Sequence, residues 1–283
     1  MGPDADLAAI AMRPGATVLS TPEFTLVKVP PVEELRGLVV EIGLYRELSG
    51  APMPQLETAS LVVPLLIGFA EPFEIALGRR PGIDDGYQSF TSGLCLQPVN
   101  IMSAGRCSCV QISFTPLGAR RFFGLPMHEL TSRMVTLGEL GDRSVDRLRQ
   151  QLGEEASWDR RLVIAERFAI DRLRNGQELS RGTAWAYDRI LATNGRAKVA
   201  RLAAELDWSR KHLAARFHDE VGLPPKAVAR VARFMRAQSL ARARTEGGWA
   251  DIAAGCGYAD QAHLARDFRE FAGTTPSAWL AGT

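Results

Sequence analysis

Apolar residues change texture once along this 283-residue chain, near Pro116. Before it they come in runs of strand length: Phe24–Val29, Gly37–Leu48, Ser60–Ala70, Phe73–Gly78, Gln88–Gln97 and Arg106–Phe114. These runs are rich in Val, Ile, Leu and Phe, with breaks such as Pro30-Pro31, Pro81-Gly82 and Asp84-Asp85-Gly86 between them. In the last run Cys107, Cys109, Gln111 and Ser113 fall on one face and Val110, Ile112 and Phe114 on the other. Several short strands at this spacing predict a sandwich or barrel. Residues 1–30, punctuated by Pro and Gly, offer only the strand Phe24–Val29. After Pro116, Leu117–Phe123 reads as a short helix stopped by Gly124, and residues 125–136 as irregular or partly helical. Leu137–Leu152 and Trp158–Arg174 read as amphipathic helices, and the polar stretch Asn175–Gly182 as a linker.

The last hundred residues hold one pattern twice. The first copy is Leu202-Ala203-Ala204, Trp208, Ser209, Leu213, Phe217, Gly222 and Pro225. The second is Ile252-Ala253-Ala254, Tyr258, Asp260, Leu264, Phe268, Gly273 and Pro276, offset by 50 positions through the aromatic residue and by 51 thereafter. Each copy predicts a short helix, a tight turn, and a second helix capped by Ser209 or Asp260. That second helix buries Leu213 and Phe217, or Leu264 and Phe268, on one face. Gly222 or Gly273 suits the reversal that follows, and Pro225 or Pro276 opens the next helix, where a missing N–H costs nothing. A helix, a tight turn and a helix on a small core make the arrangement that puts a second helix into a DNA major groove.

Residues from about 185 to 283 resemble the paired helix-turn-helix domain of AraC/XylS-type transcription regulators. The segment Asp251-Ile252-Ala253-Ala254-Gly255-Cys256-Gly257-Tyr258, then Phe268-Arg269-Glu270-Phe271 and Gly273-Thr274-Thr275-Pro276 to Trp279, carries the resemblance most closely. It implies two recognition helices presented to successive major grooves on one face of a duplex, joined by a linker helix from Pro225 to about Arg244. A weaker resemblance covers 112–173, through Phe114-Thr115-Pro116-Leu117-Gly118-Ala119, Phe123-Gly124-Leu125-Pro126 and Glu129-Leu130-Thr131. It is to a β-rich module found ahead of such domains, and implies a sensory or dimerising role.

Charge follows the same division. Residues 181–283 hold 16 Lys and Arg against 10 Asp and Glu, a net of +6, which leaves −4 for the first 180. The basic excess lies on the helical repeat, as a phosphate-binding module needs. With Leu264 and Phe268 inward, Arg266 and Arg269 turn outward, His263 flanks them, and Gln261 lies near the helix start. Arg266 suits guanine and Gln261 suits adenine. Arg210, Lys211 and His212 open the first recognition helix, but Ala214 and Ala215 behind them cannot hydrogen-bond a base edge. The second copy is therefore expected to supply more of the discrimination. Arg196 and Lys198 are candidates for backbone contact. Lys226, Arg230 and Arg233 share one face of the linker helix and read as a solvated stripe. His218 reads as a surface residue and His128 as a lone one.

The expectation is an α+β chain: a β-rich front region (sandwich or barrel, cupin-like among the forms) over 1–140, a helical connector over 141–177, and an all-α double helix-turn-helix over 178–283. Double-stranded DNA is the expected partner. RNA polymerase, a small-molecule effector and a second copy of the chain stay open. A front region that only dimerises, and a cupin-like enzyme domain, are the alternatives. The second lacks a His/Glu ligand set, so no enzyme, cofactor or metal is expected. Four cysteines do not make a disulfide framework here, and Cys107 and Cys109 read as small strand residues. With no leader-like apolar run at the start and no membrane span, the expected location is cytoplasmic.

Overall fold

The computed structural model describes residues 3–243 and 248–282. Helix α1 (Pro3–Ala11) precedes eleven described strands: β1 (Thr17–Ser20), β2 (Phe24–Val29), β3 (Val39–Glu47), β4 (Met53–Glu57), β5 (Val63–Gly68), β6 (Phe73–Leu77), β7 (Gly86–Tyr87), β8 (Ser89–Ser92), β9 (Val99–Ser103), β10 (Ser108–Phe114) and β11 (Met134–Thr136). They form two antiparallel sheets, one of seven strands in the order β1-β2-β3-β10-β5-β8-β11 and one of four in the order β4-β9-β6-β7.

Alternation decides which side of the large sheet is which. Val27, Ile42, Leu44, Leu65, Val110 and Ile112 are buried in the core that continues into the helices. The opposite set, Leu26, Tyr45, Leu66, Phe90 and Cys109, faces the small sheet and its Phe73, Ile75 and Ile101. The polar-looking face read in β10 is therefore an interior one. The space between the sheets is lined by side chains of both kinds.

Helix α2 (Pro116–Phe123) begins where the sheet ends, and its local chemistry explains the motif around it. Thr115 caps it by accepting from the Gly118 amide at 3.0 Å, while its own hydroxyl donates to the Gly37 carbonyl at 3.1 Å. Pro116 occupies the first turn and left-handed Gly124 closes the helix. Between β11 and the connector, the expected helix Leu137–Leu152 is two. Helix α3 (Leu137–Leu140) ends at left-handed Gly141, and Asp142 caps α4 (Arg143–Glu154) afresh. Helix α5 (Trp158–Arg174) has the expected bounds. It lays Trp158, Leu162, Ala165 and Ala169 against the large sheet.

The remaining helices are α6 (Arg181–Ala192), α7 (Val199–Glu205), α8 (Arg210–Glu220), α9 (Pro225–Arg242), α10 (Trp249–Gly255), α11 (Gln261–Ala272) and α12 (Pro276–Ala281). The linker helix expected to reach Arg244 is seen as α9 to Arg242, and Arg244 lies outside the described residues. Gly182, expected in the linker, is inside α6, where a side chain would meet the Trp208 ring at 2.6 Å. The segment before it is docked, with Gln177 accepting from Arg120 at 2.6 Å. One contiguous apolar core runs from the large sheet to Trp279.

Gly118 tests the packing of α2. Alanine there would gain about 1 kcal/mol of helix propensity, but its Cβ would stand 1.9 Å from the Leu38 carbonyl oxygen, which is backbone and cannot rotate away. Gly118→Ala is expected to lower the thermal midpoint, with a net loss of about 1–3 kcal/mol. An unchanged or raised midpoint would contradict the close approach.

Candidate nucleic-acid interface

The two copies fold into the same local structure. In each, the aromatic amide after the turn donates back to an alanine carbonyl: Trp208 to Ala203 at 2.9 Å and Tyr258 to Ala253 at 2.9 Å. The residue before each aromatic is left-handed, Asp207 at φ 53° and Gly257 at φ 77°. Ser209 accepts from the His212 amide at 3.0 Å, and Asp260 from the His263 amide at 2.6 Å. Caps of this kind contribute about 1 kcal/mol each. Leu213 and Phe217 in α8, and Leu264 and Phe268 in α11, are fully buried.

The outward faces carry the residues singled out from the sequence. Arg210, Lys211 and His212 are exposed at the start of α8, and Gln261, Arg266 and Arg269 along α11. Among the described residues, none of Arg210, Lys211, Arg266 and Arg269 has a salt-bridge partner. Neither helix has an acidic residue in its first turn, although the positive end of the helix dipole favours one there. The start of α8, with a neutral cap and Arg210, Lys211 and His212 in its first turn, is thus open to an anion, whereas the Asp260 carboxylate already occupies the start of α11.

The two histidines have a further occupation. His212 meets the Trp208 ring edge-on with centroids 4.6 Å apart, and His263 meets Tyr258 at 5.2 Å. They are counterparts in the repeat, a match missed when only apolar and turn positions were compared. Lys198 is exposed at the N-terminal boundary of α7. Arg196 is exposed, with its Nε donating to the Thr193 carbonyl at 3.3 Å and its stem against Gly257 in the other copy's turn, where a Cβ would be 3.1 Å from Arg196 Cγ.

The expected solvated stripe on α9 is corrected at two of its three members. Lys226 is exposed, but Arg230 reaches α11, bonding Asp267 Oδ1 and Glu270 Oε2 at 2.6 Å each. Those carboxylates hold its guanidinium above the ordinary range, and its plane lies over Phe271. Arg233 donates to the Gly195 carbonyl at 2.8 Å, tying α9 to the first copy. Helical periodicity placed these arginines on one face correctly, but their partners lie 37 to 40 positions away in sequence.

The front region grips both recognition helices by their C-terminal ends. At α8, Arg120 meets Asp219 at 3.4 Å, and the Thr131 hydroxyl donates to the Gly222 carbonyl at 3.1 Å. His128 stacks on His218 there with centroids 4.2 Å apart, so His128 is not the lone residue the sequence implied, while His218 is at the surface as expected. At the second copy, the Ala59 amide donates to the Phe271 carbonyl at 2.9 Å, and Gln238 of α9 donates to Thr58 at 3.1 Å.

Between the two sheets lies a cavity of about 260 Å³. Phe24, Leu26, Tyr45, Phe73 and Phe90 give it apolar walls, and Lys28, Glu41, Gln55, Glu57 and Gln111 give it polar ones. Cys107 and Cys109 are buried beside it with free thiols. Burial and the neighbouring Glu47 charge push the Cys107 thiol up to about 12, and burial raises Cys109 as well, which leaves little thiolate for redox or metal chemistry.

Two capped helices in matching turns, with basic, unpaired N-terminal halves, define a double helix-turn-helix DNA-binding protein. Residues 202–282 match the family described as "Helix-turn-helix domain". They form a helix-turn-helix domain, the kind of unit that binds DNA. Among solved structures, the C-terminal domain of AraT, a response regulator from Geobacillus stearothermophilus, is 21% identical, with 38% of this chain and 89% of that one covered at a TM-score of 0.35. ToxT from Vibrio cholerae is 12% identical, with 82% and 98% covered at a TM-score of 0.43. No curated protein matches the chain by sequence. Among the described residues no helix is long and apolar enough to cross a membrane.

Asp267 is 1% exposed and is paired with Arg230. Arg230→Met is expected to destabilise the protein by about 3–5 kcal/mol, because it strands a buried carboxylate. Adding Asp267→Leu should recover most of that loss. Thermal unfolding of the single and double variants checks both, and a single variant as stable as the parent would exclude the clamp.

Proposed function

We propose that the chain binds a specific duplex through two readers entering successive major grooves, under control of a small molecule in the front cavity. Support for the first part comes from one arrangement: both recognition helices expose unpaired basic residues at their N-terminal halves while their C-terminal ends are held. Arg266 and Gln261 read base edges, and Arg210 and Lys211 enter the neighbouring groove. Arg269, Arg196 and Lys198 hold phosphates. His212 and His263, packed on the turn aromatics, position the helix starts and lie at the groove floor. In this reading residues 1–140 sense, 141–177 connect and 178–283 read.

Control by the front region is supported by its hold on both readers. A molecule that changes the spacing of the two sheets acts on groups that touch α8 and α11. That is the differential contact a conformational effector needs.

Selection of bound DNA from a random pool should yield two conserved blocks with centres about 10 base pairs apart, one helical turn. Arg266→Ala should cost about 1–3 kcal/mol and relax one block. Lys211→Ala should lose less discrimination and lower the salt slope by about 1. Unselective binding, or equal loss of discrimination in the two variants, would count against these assignments. For the sensor part, a thermal-shift panel of acids, amines and neutral compounds on the full-length protein should contain at least one stabiliser. A panel with none would sink it.

A further inference from the structure

The cavity has a defined charge as well as a shape. Its lining carries one cation, Lys28, and two carboxylates, Glu41 and Glu57. Lys28 Nζ lies 2.7 Å from Glu41 Oε1, so that cation is committed. Among the described residues Glu57 has no ion-pair partner of its own. Its side chain is exposed and borders the open space of the cavity. Even so, enough protein surrounds the carboxyl that desolvation, with Glu41 adding to it, pushes it above the ordinary carboxylate range, against the pull of Lys28. A third carboxylate, Glu47, stands behind the Tyr45 ring, bonded to the Tyr45 hydroxyl at 2.8 Å and the Cys107 amide at 2.8 Å.

The remainder of the space is aromatic. Phe24 and Tyr45 have ring centroids 5.6 Å apart, and Tyr45 and Phe73 are 6.1 Å apart. Gln55 donates to the Tyr45 hydroxyl at 2.9 Å, which fixes that ring as a wall. Burial and the Glu47 charge raise the Tyr45 phenol, so it stays neutral. A surplus carboxylate at one end of a chamber walled by neutral rings matches one ligand chemistry. The carboxylate pairs an ammonium, and the rings take the apolar body and face the cation with their negative π-surfaces. A carboxylic acid entering instead would have to displace Glu41 from Lys28 and lie near Glu57, a like-charge contact that the site rejects.

Resting on the sensor reading above, we infer that the cavity takes an organic amine with an aromatic or branched apolar body, its ammonium held by Glu57. Calorimetry and thermal shift on the full-length protein with three probes of one shape test this: 2-phenylethylamine, 2-phenylethanol and 3-phenylpropanoate. The amine alone should raise the melting midpoint. Glu57→Gln should weaken its binding by about tenfold or more, and Lys28→Met, which frees Glu41 as well, should tighten it by about threefold or more. The gain in the second variant cannot come from misfolding. Binding of the alcohol or the carboxylate in preference to the amine would overturn the ligand class and leave the sensor reading standing. Amine binding indifferent to both substitutions would overturn the role of Glu57. Silence towards all three overturns the amine, and the sensor reading falls with it only if the wider panel is silent too.

Discussion

Two readers can address one duplex only if something stops them from turning independently, and in this protein that constraint is the packing of α9. Its Val228, Val231, Phe234 and Ala237 are fully buried, and Phe234 meets both Phe268 and Phe271 of α11. On the other side Arg233 is bonded to Gly195 in the first copy. A helix free along its length would act as a hinge. Occupied on several sides, it behaves as part of one core. Charge is used where apolar packing runs out: Arg230 closes the gap to α11 by neutralising a carboxylate that has almost no solvent. Such a pair adds less net stability than its short distances suggest, because both groups are desolvated. Its value lies in orientation, since only one placement of α11 satisfies Arg230.

The second theme is a local conflict. A helix start prefers acidic side chains, yet α8 opens with Arg210, Lys211 and His212. Natural sequences tolerate such disagreement between local preference and fold at positions reserved for a partner. The caps Ser209 and Asp260 satisfy the helix start with one short side chain each, which leaves most of the first turn exposed.

Much of this was legible in the sequence, for identifiable reasons. The repeat was readable because tight turns accept few residues: a small polar cap, a glycine at a reversal and a proline at a helix start each have one physical use. Strands β2, β3, β5, β6 and β10 were readable because one of their faces is mostly apolar. Strands β1, β4 and β9 escaped notice. β1 is exposed along its length, β4 carries Pro54 and alternates Gln55 and Glu57 into the cavity, and β9 mixes Asn100 with apolar residues on a small, half-buried sheet. Helix α1 was hidden by the Pro and Gly around it. Outward residues of α8 and α11 followed from 100° steps. Their long-range partners did not, because nothing local links His128 to His218 or Arg230 to Asp267. The cavity was invisible for the same reason: Lys28, Glu41 and Glu57 lie on three strands of two sheets.

One segment of the small sheet joins these themes. Glu57 ends β4 at the cavity wall, Thr58 takes a bond from α9, and Ala59 bonds the last turn of α11. The covalent route from chamber to reader is therefore two residues, at most about 7 Å of backbone. Two peptide units leave little slack between the strand end and the Phe271 carbonyl. The first reader has a similar tether: Thr131, bonded to the Gly222 carbonyl, stands three residues before Met134 of the cavity lining. Each recognition helix is thus held at its C-terminal end by a segment that runs within a few residues into the cavity wall.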